Sequence, residues 1–412
     1  MLYDVCVVGA GTMGSCTAYY LSKNNTSLNI CLIGPGEPEA KTRDREVFGC
    51  HYDEGRISRV ISQIETEQIL AYRSMLSYPE LEQLSGLQIF WEVGSAVIGQ
   101  AGDSFVSEFS SVTDKFCKKN GLLCEEVNET FVKERWSYFL PPQNCSGRFS
   151  KKFNGYISVR NLVRACQAVA ENNGVQRNFE VVKDITKYEG NFRIALEGGD
   201  VISCKKIVLA CGSFTNFFNI LPSKRKLELQ LVGHSVLKLE LNEKDSKDMA
   251  DFPSMIYKPN LTSSYIYILP PIKYPNGKTY LKIGHVVYPK LDENKLGKVL
   301  TTLEEVQEWY CQKDYPKARK YFKAHFESLY PGVNPLSEEL DFCVMAMTTS
   351  GKQLIGFVEE NLMVAGGGNG KSAKFGLEIG SICADSIVKG EWVCDHLDPD
   401  DFRVRYSKEL SA

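Results

Sequence analysis

The 412-residue sequence lacks the features that mark several large protein classes. It contains no apolar run of the roughly 18 residues that a membrane-spanning helix requires, and Asp4 interrupts its first apolar stretch. We therefore expect neither a membrane span nor a secretory signal. The formal net charge is only −3, and no dense basic run is interleaved with aromatic residues, which excludes a typical nucleic-acid-binding surface.

Metal-ligand patterns are absent as well. There are only five histidines, and the fourteen cysteines include no CxxC pair and no Cys/His spacing suited to zinc. We predict no metal site, and reduced thiols in an intracellular compartment. What the chain does have is 43% hydrophobic and 11% aromatic residues, enough for one large core or two ordinary ones.

One stretch, VAGGGNGKS at Val364–Ser372, looks like the phosphate-binding loop of an ATPase. Such a loop opens a domain of well over about 100 residues, and the sequence after Ser372 is too short to supply one. An ATPase is therefore disfavoured, although the loop could still contact a phosphate or a carboxylate.

A stronger signal stands near residue 1. Tyr3–Val8 is typical of a buried strand, a glycine loop follows it, and Ser15–Lys23 has helical character before a second strand at Leu28–Ile33. This order predicts that a dinucleotide pyrophosphate binds at the helix N-terminus, against the alternative of a purely structural turn. The predicted cofactor-binding residues of the loop are Gly9, Gly11, Thr12, Met13 and Gly14.

The acidic residue that usually ends the second strand and binds the ribose is missing. Gly34 occupies that position, and the first acids are Glu37 and Glu39. Glu37 could reach back to the ribose, or water and backbone could replace the contact, and the sequence leaves this open.

Later segments separate FAD from NAD, because FAD of this type is also held by chain segments that return to the first domain. Three such segments are present: Gly155–Ala165 opens a helix after a turn, and Lys206–Asn216 is a buried strand that ends in a small-residue turn containing Gly212. Leu362–Gly368 is a third, followed by a predicted helix through Ile382. The three returns favour FAD.

These segments resemble the sarcosine oxidase and pipecolate oxidase group of FAD-dependent amine oxidases, within the D-amino acid oxidase superfamily. The resemblance rests on GYISVRNLVRA, IVLACGSFTN, YLKIGH, DFCVMAMTTSG and KFGLEIG, and it covers nearly the whole chain. It implies an α/β fold with a discontinuous Rossmann-like FAD-binding domain and a substrate domain with a mixed or antiparallel sheet. The implied boundaries are 1–80, 150–220 and 330–412 for the first domain, and 81–149 and 221–329 for the second.

The resemblance also implies roles for residues around the flavin. Cys343 matches the cysteine that binds FAD covalently in monomeric members, although a buried free cysteine is the simpler alternative. Arg59 matches an arginine near the flavin. The glycines at the returning turns, Gly212, Gly367, Gly368 and Gly370, are the remaining predicted cofactor contacts.

Four further residues match catalytic or substrate positions of the family. Arg56 and Lys374 match cations that bind the substrate carboxylate, and Tyr267 matches a pocket tyrosine. A two-residue expansion leaves Lys371 as the alternative to Lys374. Lys282 matches the lysine that activates oxygen, and the neighbouring His285 is either a structural histidine or a substrate contact.

The implied activity is oxidation of secondary or N-methyl amino acids, such as sarcosine or pipecolate, to an imine, with oxygen reduced to hydrogen peroxide. The alternatives are a dehydrogenase that passes electrons to another acceptor and a non-catalytic flavin-binding protein. The implied partners are the amine substrate and oxygen, with no nucleic acid and no membrane, and a monomer is expected. Glu409–Ala412 lacks a clean peroxisomal signal, which favours the cytoplasm over the peroxisome.

Overall fold

A computed structural model of the chain describes residues 2–259, 265–285 and 296–407. The C-terminal residues on which the localisation prediction depends lie outside these ranges. Within them, no helix is both long and apolar enough to cross a membrane. All fourteen cysteines are free thiols.

The described residues form twenty strands and nine α-helices. The strands are β1 (Leu2–Val8), β2 (Ile30–Ile33), β3 (Arg56–Arg59), β4 (Phe90–Trp91), β5 (Ser95–Gln100), β6 (Glu125–Val127), β7 (Cys145–Ser150), β8 (Asn154–Ile157), β9 (Gln176–Asn178), β10 (Val182–Tyr188), β11 (Asn191–Leu196), β12 (Val201–Leu209), β13 (Gln230–Glu240), β14 (Ser254–Tyr257), β15 (Ile266–Lys273), β16 (Thr279–His285), β17 (Lys298–Leu300), β18 (Ser337–Met347), β19 (Leu354–Glu359) and β20 (Leu362–Gly366). The helices are α1 (Thr12–Asn24), α2 (Glu65–Ser85), α3 (Ser104–Lys119), α4 (Glu129–Arg135), α5 (Val159–Asn172), α6 (Glu243–Asp248), α7 (Leu303–Tyr310), α8 (Pro316–Leu329) and α9 (Gly376–Lys389).

The first sheet has eight strands, and its centre is parallel. β1 lies between β2 and β12, and both pair with it in parallel; β9 extends the sheet beyond β2, and β20 pairs in parallel with β12. β10, β11 and β19 complete it through antiparallel pairs. The carboxyl ends of β1, β2, β12 and β20 meet at one edge, where ligands bind in sheets of this kind.

Apolar layers cover both faces of this sheet. On one face the side chains of Val5, Val7, Leu32 and Val208 pack among residues of α1, α2, α5 and α9, all of them buried. On the other face a smaller core joins β1 and β12 to β10 and β11. β2 and β20 are buried along their whole length and β1 from Val5 to Val8, as their continuous apolar sequences predict for a parallel sheet.

The second sheet has nine strands, in the order β17-β13-β16-β15-β14-β5-β7-β6, with β18 on the other edge of β13. All its pairs are antiparallel except β14 with β5, so the sheet is mixed. The predicted fold class is therefore confirmed. β18 lies in the segment from residue 330 that we predicted for the first domain, yet it pairs with β13 over its whole length. The domain boundaries stay a prediction.

A third, three-stranded sheet in the order β3-β8-β4 lies alongside the two large ones. Its first strand begins at Arg56 and ends at Arg59, so the pairing of β3 with β8 fixes the backbone of both predicted arginines.

Candidate active site

A cavity of about 400 Å³ opens at the edge where the parallel strands of the first sheet end. Residues of both large sheets and of β3 form its walls. Among the predicted site residues, those that line it are Gly9, Gly11, Thr12, Met13, Arg56, Arg59, Gly212, Tyr267, Cys343, Gly367, Gly368, Gly370 and Lys374. Gly14 and Lys282 do not line the cavity. The alternative lysine, Lys371, does.

The glycine loop brings the N-terminus of α1 to the cavity wall. Gly9 has φ +109°, and a Cβ there would lie 2.6 Å from the carbonyl carbon of Ala210, at the end of β12. A Cβ on Gly14 would collide with the carbonyl of Gly9, so this glycine permits strand–helix packing and does not line the site. Thr12 and Met13 of the first helical turn line the cavity, and among the described residues no side chain caps this end of α1, which suits an anion site.

Glu37 does not fill the place of the missing ribose acid. Both of its carboxylate oxygens accept hydrogen bonds from Arg160 at 2.7–2.9 Å, and Glu37 is absent from the cavity lining. The cavity wall beyond β2 is instead formed by Gly34, Pro35 and the basic residue Arg45, which sequence reasoning missed.

His51 places a polar ring nitrogen, Nδ1, at the cavity wall. It is buried and lines the cavity near the glycine loop, and within the described chain its Nδ1 has no hydrogen-bond partner. Burial, reinforced by Arg160, lowers the pKa of His51 to about 3, so the ring is neutral. The orphaned nitrogen, the glycine loop and the amides at the α1 N-terminus together fit a bound FAD.

Asp53, another residue that sequence reasoning missed, holds two predicted catalytic cations. Its Oδ2 forms ion pairs with Arg56 and with Lys282, the latter at 2.5 Å, while its Oδ1 accepts a hydrogen bond from Tyr274 at 2.7 Å. The amine of Lys282 also donates to the carbonyl of Gly55. Burial, with a smaller contribution from Arg56, shifts the pKa of Lys282 well below its usual value.

A second carboxylate, Glu67, binds both lysines between which the sequence could not decide. Lys371 Nζ lies 2.7 Å from Glu67 Oε1, and Lys374 Nζ lies 3.8 Å from Oε2. Burial alone would raise the pKa of Glu67, but Lys374 and Lys371 outweigh it and lower that pKa to about 2. Burial lowers the pKa of Lys374 to about 7, with Glu67 opposing and Arg59 adding to the shift.

Asn369 fixes the backbone that carries these lysines. It has φ +51°, its Oδ1 accepts a hydrogen bond from the backbone N–H of Thr348 at 2.8 Å, and its Nδ2 donates to the carbonyl of Gly367 at 2.7 Å. Residue 369 is therefore a buried connection between the glycine turn and the end of β18.

One face of the second sheet forms the wall opposite the glycine loop. β18, β13, β16 and β15 are neighbours there, and directly paired residues of antiparallel strands share a face. His234 pairs with Cys343, and Tyr267 pairs with Gly284, where a Cβ would collide with the Tyr267 ring. His234 and Tyr267 have parallel rings 6.1 Å apart.

Cys343 and two histidines meet at this wall. Cys343 Sγ is 3.8 Å from His234 Nδ1, and burial raises the pKa of the thiol to about 11. The ring of His285 stacks on that of His234 at 4.7 Å, and within the described chain neither nitrogen of His285 has a partner. His285 also lines the cavity, and whether it is a structural histidine or a substrate contact stays a prediction.

The site combines a glycine loop at the carboxyl edge of a parallel sheet with three returning segments and a second sheet across the cavity. These features define a two-domain, dinucleotide-dependent oxidoreductase. The family model for FAD-dependent oxidoreductases, DAO, matches residues 4–386. The chain belongs to this family, and the predicted family and enzyme class are confirmed.

Similar proteins agree with this assignment. The chain is 25% identical over 410 residues to monomeric sarcosine oxidase of an Arthrobacter species, covering 94% of this chain and 93% of the relative. It is 25% identical over 228 residues to N-methyl-L-tryptophan oxidase of Yersinia pestis, covering 54% and 56%.

Solved structures with the same fold include NikD, an amino acid oxidase essential for nikkomycin biosynthesis, in its open form, with a TM-score of 0.76, 17% identity and 98% coverage of both chains. Glycine oxidase of Bacillus cereus has a TM-score of 0.70 and 17% identity, covering 99% of this chain and 100% of that one.

Proposed function

We propose that this enzyme oxidises secondary or N-methyl amino acids at the carbon–nitrogen bond and passes the electrons to oxygen, which yields hydrogen peroxide. The imine product then hydrolyses. The observation that carries the proposal is Lys374, a buried lysine on the cavity wall that shares Glu67 with Lys371. A buried cation at the wall of a flavin site is suited to a carboxylate ligand, and the 25%-identical relative is a sarcosine oxidase.

The substrate carboxylate is oriented by cations of different geometry. The guanidinium of Arg56, on β3, can form a bidentate pair, and its position is fixed by Asp53. Lys374 supplies a point charge from the turn before α9, and Tyr267 closes the pocket from β15. Held in this way, the amine presents one C–H bond to the cofactor.

FAD, when bound, supplies the two-electron acceptor for the hydride equivalent. Gly9, Gly11, Thr12, Met13 and the returning turns at Gly212 and at Gly367–Gly370 would hold it. We further propose that Cys343 binds it through a thioether, because this thiol faces the cavity from the sheet opposite the glycine loop. The amine reacts in its unprotonated form, so no protein base is required for C–H cleavage.

Lys282 is proposed to serve the oxygen half-reaction. It is fully buried, and two acceptors fix its amine beside Arg56, which lines the cavity. A fixed cation stabilises the negative charge that oxygen acquires on reduction. We propose a monomer in the cytoplasm as the working form.

The deciding experiment is an anaerobic titration of the purified protein with sarcosine, pipecolate and larger N-methyl amino acids, followed by admission of air. The proposal expects at least one of them to bleach the flavin absorbance and air to restore it with stoichiometric hydrogen peroxide. Bleaching without reoxidation by air would identify a dehydrogenase. Flavin that no amine reduces would identify a binding protein.

Lys282→Met separates the two half-reactions. Flavin reoxidation should slow by about two orders of magnitude or more, while anaerobic reduction changes far less, because only the oxygen step develops a negative charge next to this cation. Stopped-flow absorbance measures both rates. Equal losses in both would make Lys282 a structural or substrate-binding residue.

A further inference from the structure

His234 and Cys343 form a pair whose geometry the proposed oxidase activity does not require. They are direct partners in the β13–β18 ladder, so their side chains leave the sheet on the same face, and both line the cavity. The Sγ–Nδ1 distance of 3.8 Å is within the range of a thiol hydrogen bond.

The hydrogen bonds of His234 determine which ring nitrogen can accept a proton. Its Nε2 lies 2.9 Å from the backbone carbonyl oxygen of His285, and a carbonyl can only accept, so Nε2 carries the hydrogen. Burial lowers the pKa of His234 to about 4, with Arg56 and Lys282 contributing, so the ring is neutral near pH 7. In this tautomer Nδ1 presents its lone pair to the thiol of Cys343.

This is the geometry of a nucleophile and its base: a thiol, a nitrogen that can accept its proton, and a third group that orients that nitrogen. We propose that His234 is the base that accepts the Cys343 proton when the flavin thioether forms. The inference rests on the covalent link in the proposed function. It adds a residue that contacts Cys343 and lies parallel to two rings, those of His285 and Tyr267.

The step balances in atoms and electrons. The Sγ–H bond and one C–H bond of a flavin methyl group break, and the Sγ–C bond forms. The thiol proton passes to His234 Nδ1. The two electrons released reduce the flavin, which takes up the two protons. Oxygen, the oxidant of the proposed activity, restores the oxidised flavin and is released as hydrogen peroxide.

The test follows two rates in the full-length protein purified from riboflavin-limited cells. One is the appearance of acid-stable flavin after FAD is added in air. The other is alkylation of Cys343 by iodoacetamide before FAD is added, resolved from the other cysteines by peptide mass spectrometry. Cys311, half-buried and remote in sequence from both residues, is the internal reference for accessibility and folding.

His234→Phe should slow both rates by at least about tenfold while alkylation of Cys311 is unchanged, since a positioned base contributes roughly 10²–10⁴ to a rate. His234→Asn distinguishes a base from a hydrogen-bond acceptor: its Oδ1 can accept from the thiol but cannot take up a proton. The proposal expects Asn to be as slow as Phe. Recovery of wild-type rates by Asn, or rates within twofold of wild type in Phe, overturns it.

The test separates failure of the role proposed for His234 from failure of the proposed amine oxidation. Wild-type protein without any acid-stable flavin overturns the covalent link and, with it, the role of His234. Failure of every amine to reduce the flavin refutes amine oxidation, yet leaves both measured rates of Cys343 as they are.

Discussion

At the scale of single residues, Asp53 is the side chain on which two proposed catalytic groups depend. Its Oδ2 is shared by Arg56 and Lys282, and all three lie in or beside the cavity wall. A carboxylate that neutralises two neighbouring cations removes most of their mutual repulsion. Asp53 therefore favours the charged form of both groups, against the effect of burial on Lys282, at the positions where the substrate and oxygen are proposed to react.

Asp53→Asn should lower the free energy of unfolding by about 3–5 kcal/mol, because it leaves buried cations without a counter-ion. Denaturant unfolding of the flavin-loaded protein measures this loss. The double variant Asp53→Asn/Lys282→Met is the control, and it should recover part of the stability, since one uncompensated charge is removed. A loss below about 1 kcal/mol in the single variant would contradict the role assigned to Asp53.

Lys374 and Lys371 differ in burial, which makes their contributions separable. Lys374→Ala should weaken binding of a carboxylate inhibitor about ten- to a hundredfold, since a hydrogen bond to a charged group contributes roughly 1.5–3 kcal/mol. Lys371→Ala should cost distinctly less, because its amine is already held by Glu67 at 2.7 Å. Perturbation of the flavin spectrum gives both dissociation constants. A larger loss of affinity for Lys371→Ala than for Lys374→Ala would mean that Lys371 binds the carboxylate. The two-residue expansion would then lie on the other side of the catalytic lysine.

The same site predicts a dependence on pH. The pKa of Lys374 is about 7, lowered by burial, so its amine is protonated at pH 6 and largely neutral at pH 8. Only the protonated amine attracts a carboxylate. The inhibitor dissociation constant should therefore increase as pH rises through 7, and Lys374→Met should flatten this increase while Lys371→Met preserves it. Spectral titrations between pH 6 and 8 measure the slope; a slope unaffected by Lys374→Met would contradict the assignment.

At the scale of elements, the packing of α9 on α1 depends on two glycines one turn apart. A Cβ on Gly380 would lie 2.5–2.8 Å from the backbone carbon and oxygen and the Cβ of Cys16, and a Cβ on Gly376 would lie 2.8 Å from Thr12 Cγ2. The close contact positions the N-terminus of α1, and with it the glycine loop. α9 in turn follows the segment that carries Lys374.

Gly380→Ala should consequently destabilise the protein by about 1–3 kcal/mol, because the methyl group meets backbone that cannot move independently. Gly36→Ala is the matched control, since a Cβ there meets no atom of the described residues within 4 Å, and its effect should stay within about 0.5 kcal/mol. Thermal or denaturant unfolding compares the two. Equal effects would show that the helix contact can relax.

Elements that depend on local sequence were predictable, and those that depend on distant partners were not. β1, α1 and β2 lie where Tyr3–Val8, the glycine loop and Leu28–Ile33 predicted them, because turn chemistry and apolar runs are local signals. The predicted helix through Ile382 continues to Lys389, where Gly390 at φ +84° ends it. The order of the second sheet depends on long-range pairing that no local pattern encodes.

The same distinction applies to the site. The cations could be predicted from the sequence, since motifs carry them, and their roles stay predictions. Their counter-ions could not, because Asp53 and Lys282 are 229 positions apart and Glu67 and Lys371 are 304 apart. One signal was available: Asp53 stands three positions before Arg56, and a buried lysine requires a nearby carboxylate. Nothing comparable distinguishes Glu67 from other acids at the start of a helix.

At the scale of the whole molecule, the proposed cofactor bridges the two large sheets. The glycine loop belongs to the first sheet and Cys343 to the second, and both line one cavity. A thioether at Cys343 would therefore anchor to the second sheet a ligand whose phosphates are bound at the first. Its effect would be that of a cross-link between the domains.

The wild-type protein should keep its yellow colour in the pellet after acid precipitation, whereas Cys343→Ala should release the flavin to the supernatant. Cys311→Ala, at a half-buried cysteine outside the cavity lining, is the control and should behave as the wild type. Absorbance of the pellet and supernatant decides the result. Complete release from the wild-type protein would rule out the covalent link.

Glu67 has a consequence for turnover. In the proposed binding mode, an incoming substrate carboxylate would meet lysines that already have an anionic partner, so binding would be an exchange of one anion for another. Glu67 would thus act as an internal competitor that limits how tightly any acid, product included, can be held. On departure of the proposed imine product, Glu67 would again pair with Lys374 and Lys371, which would return the pocket to the charge state it has without substrate.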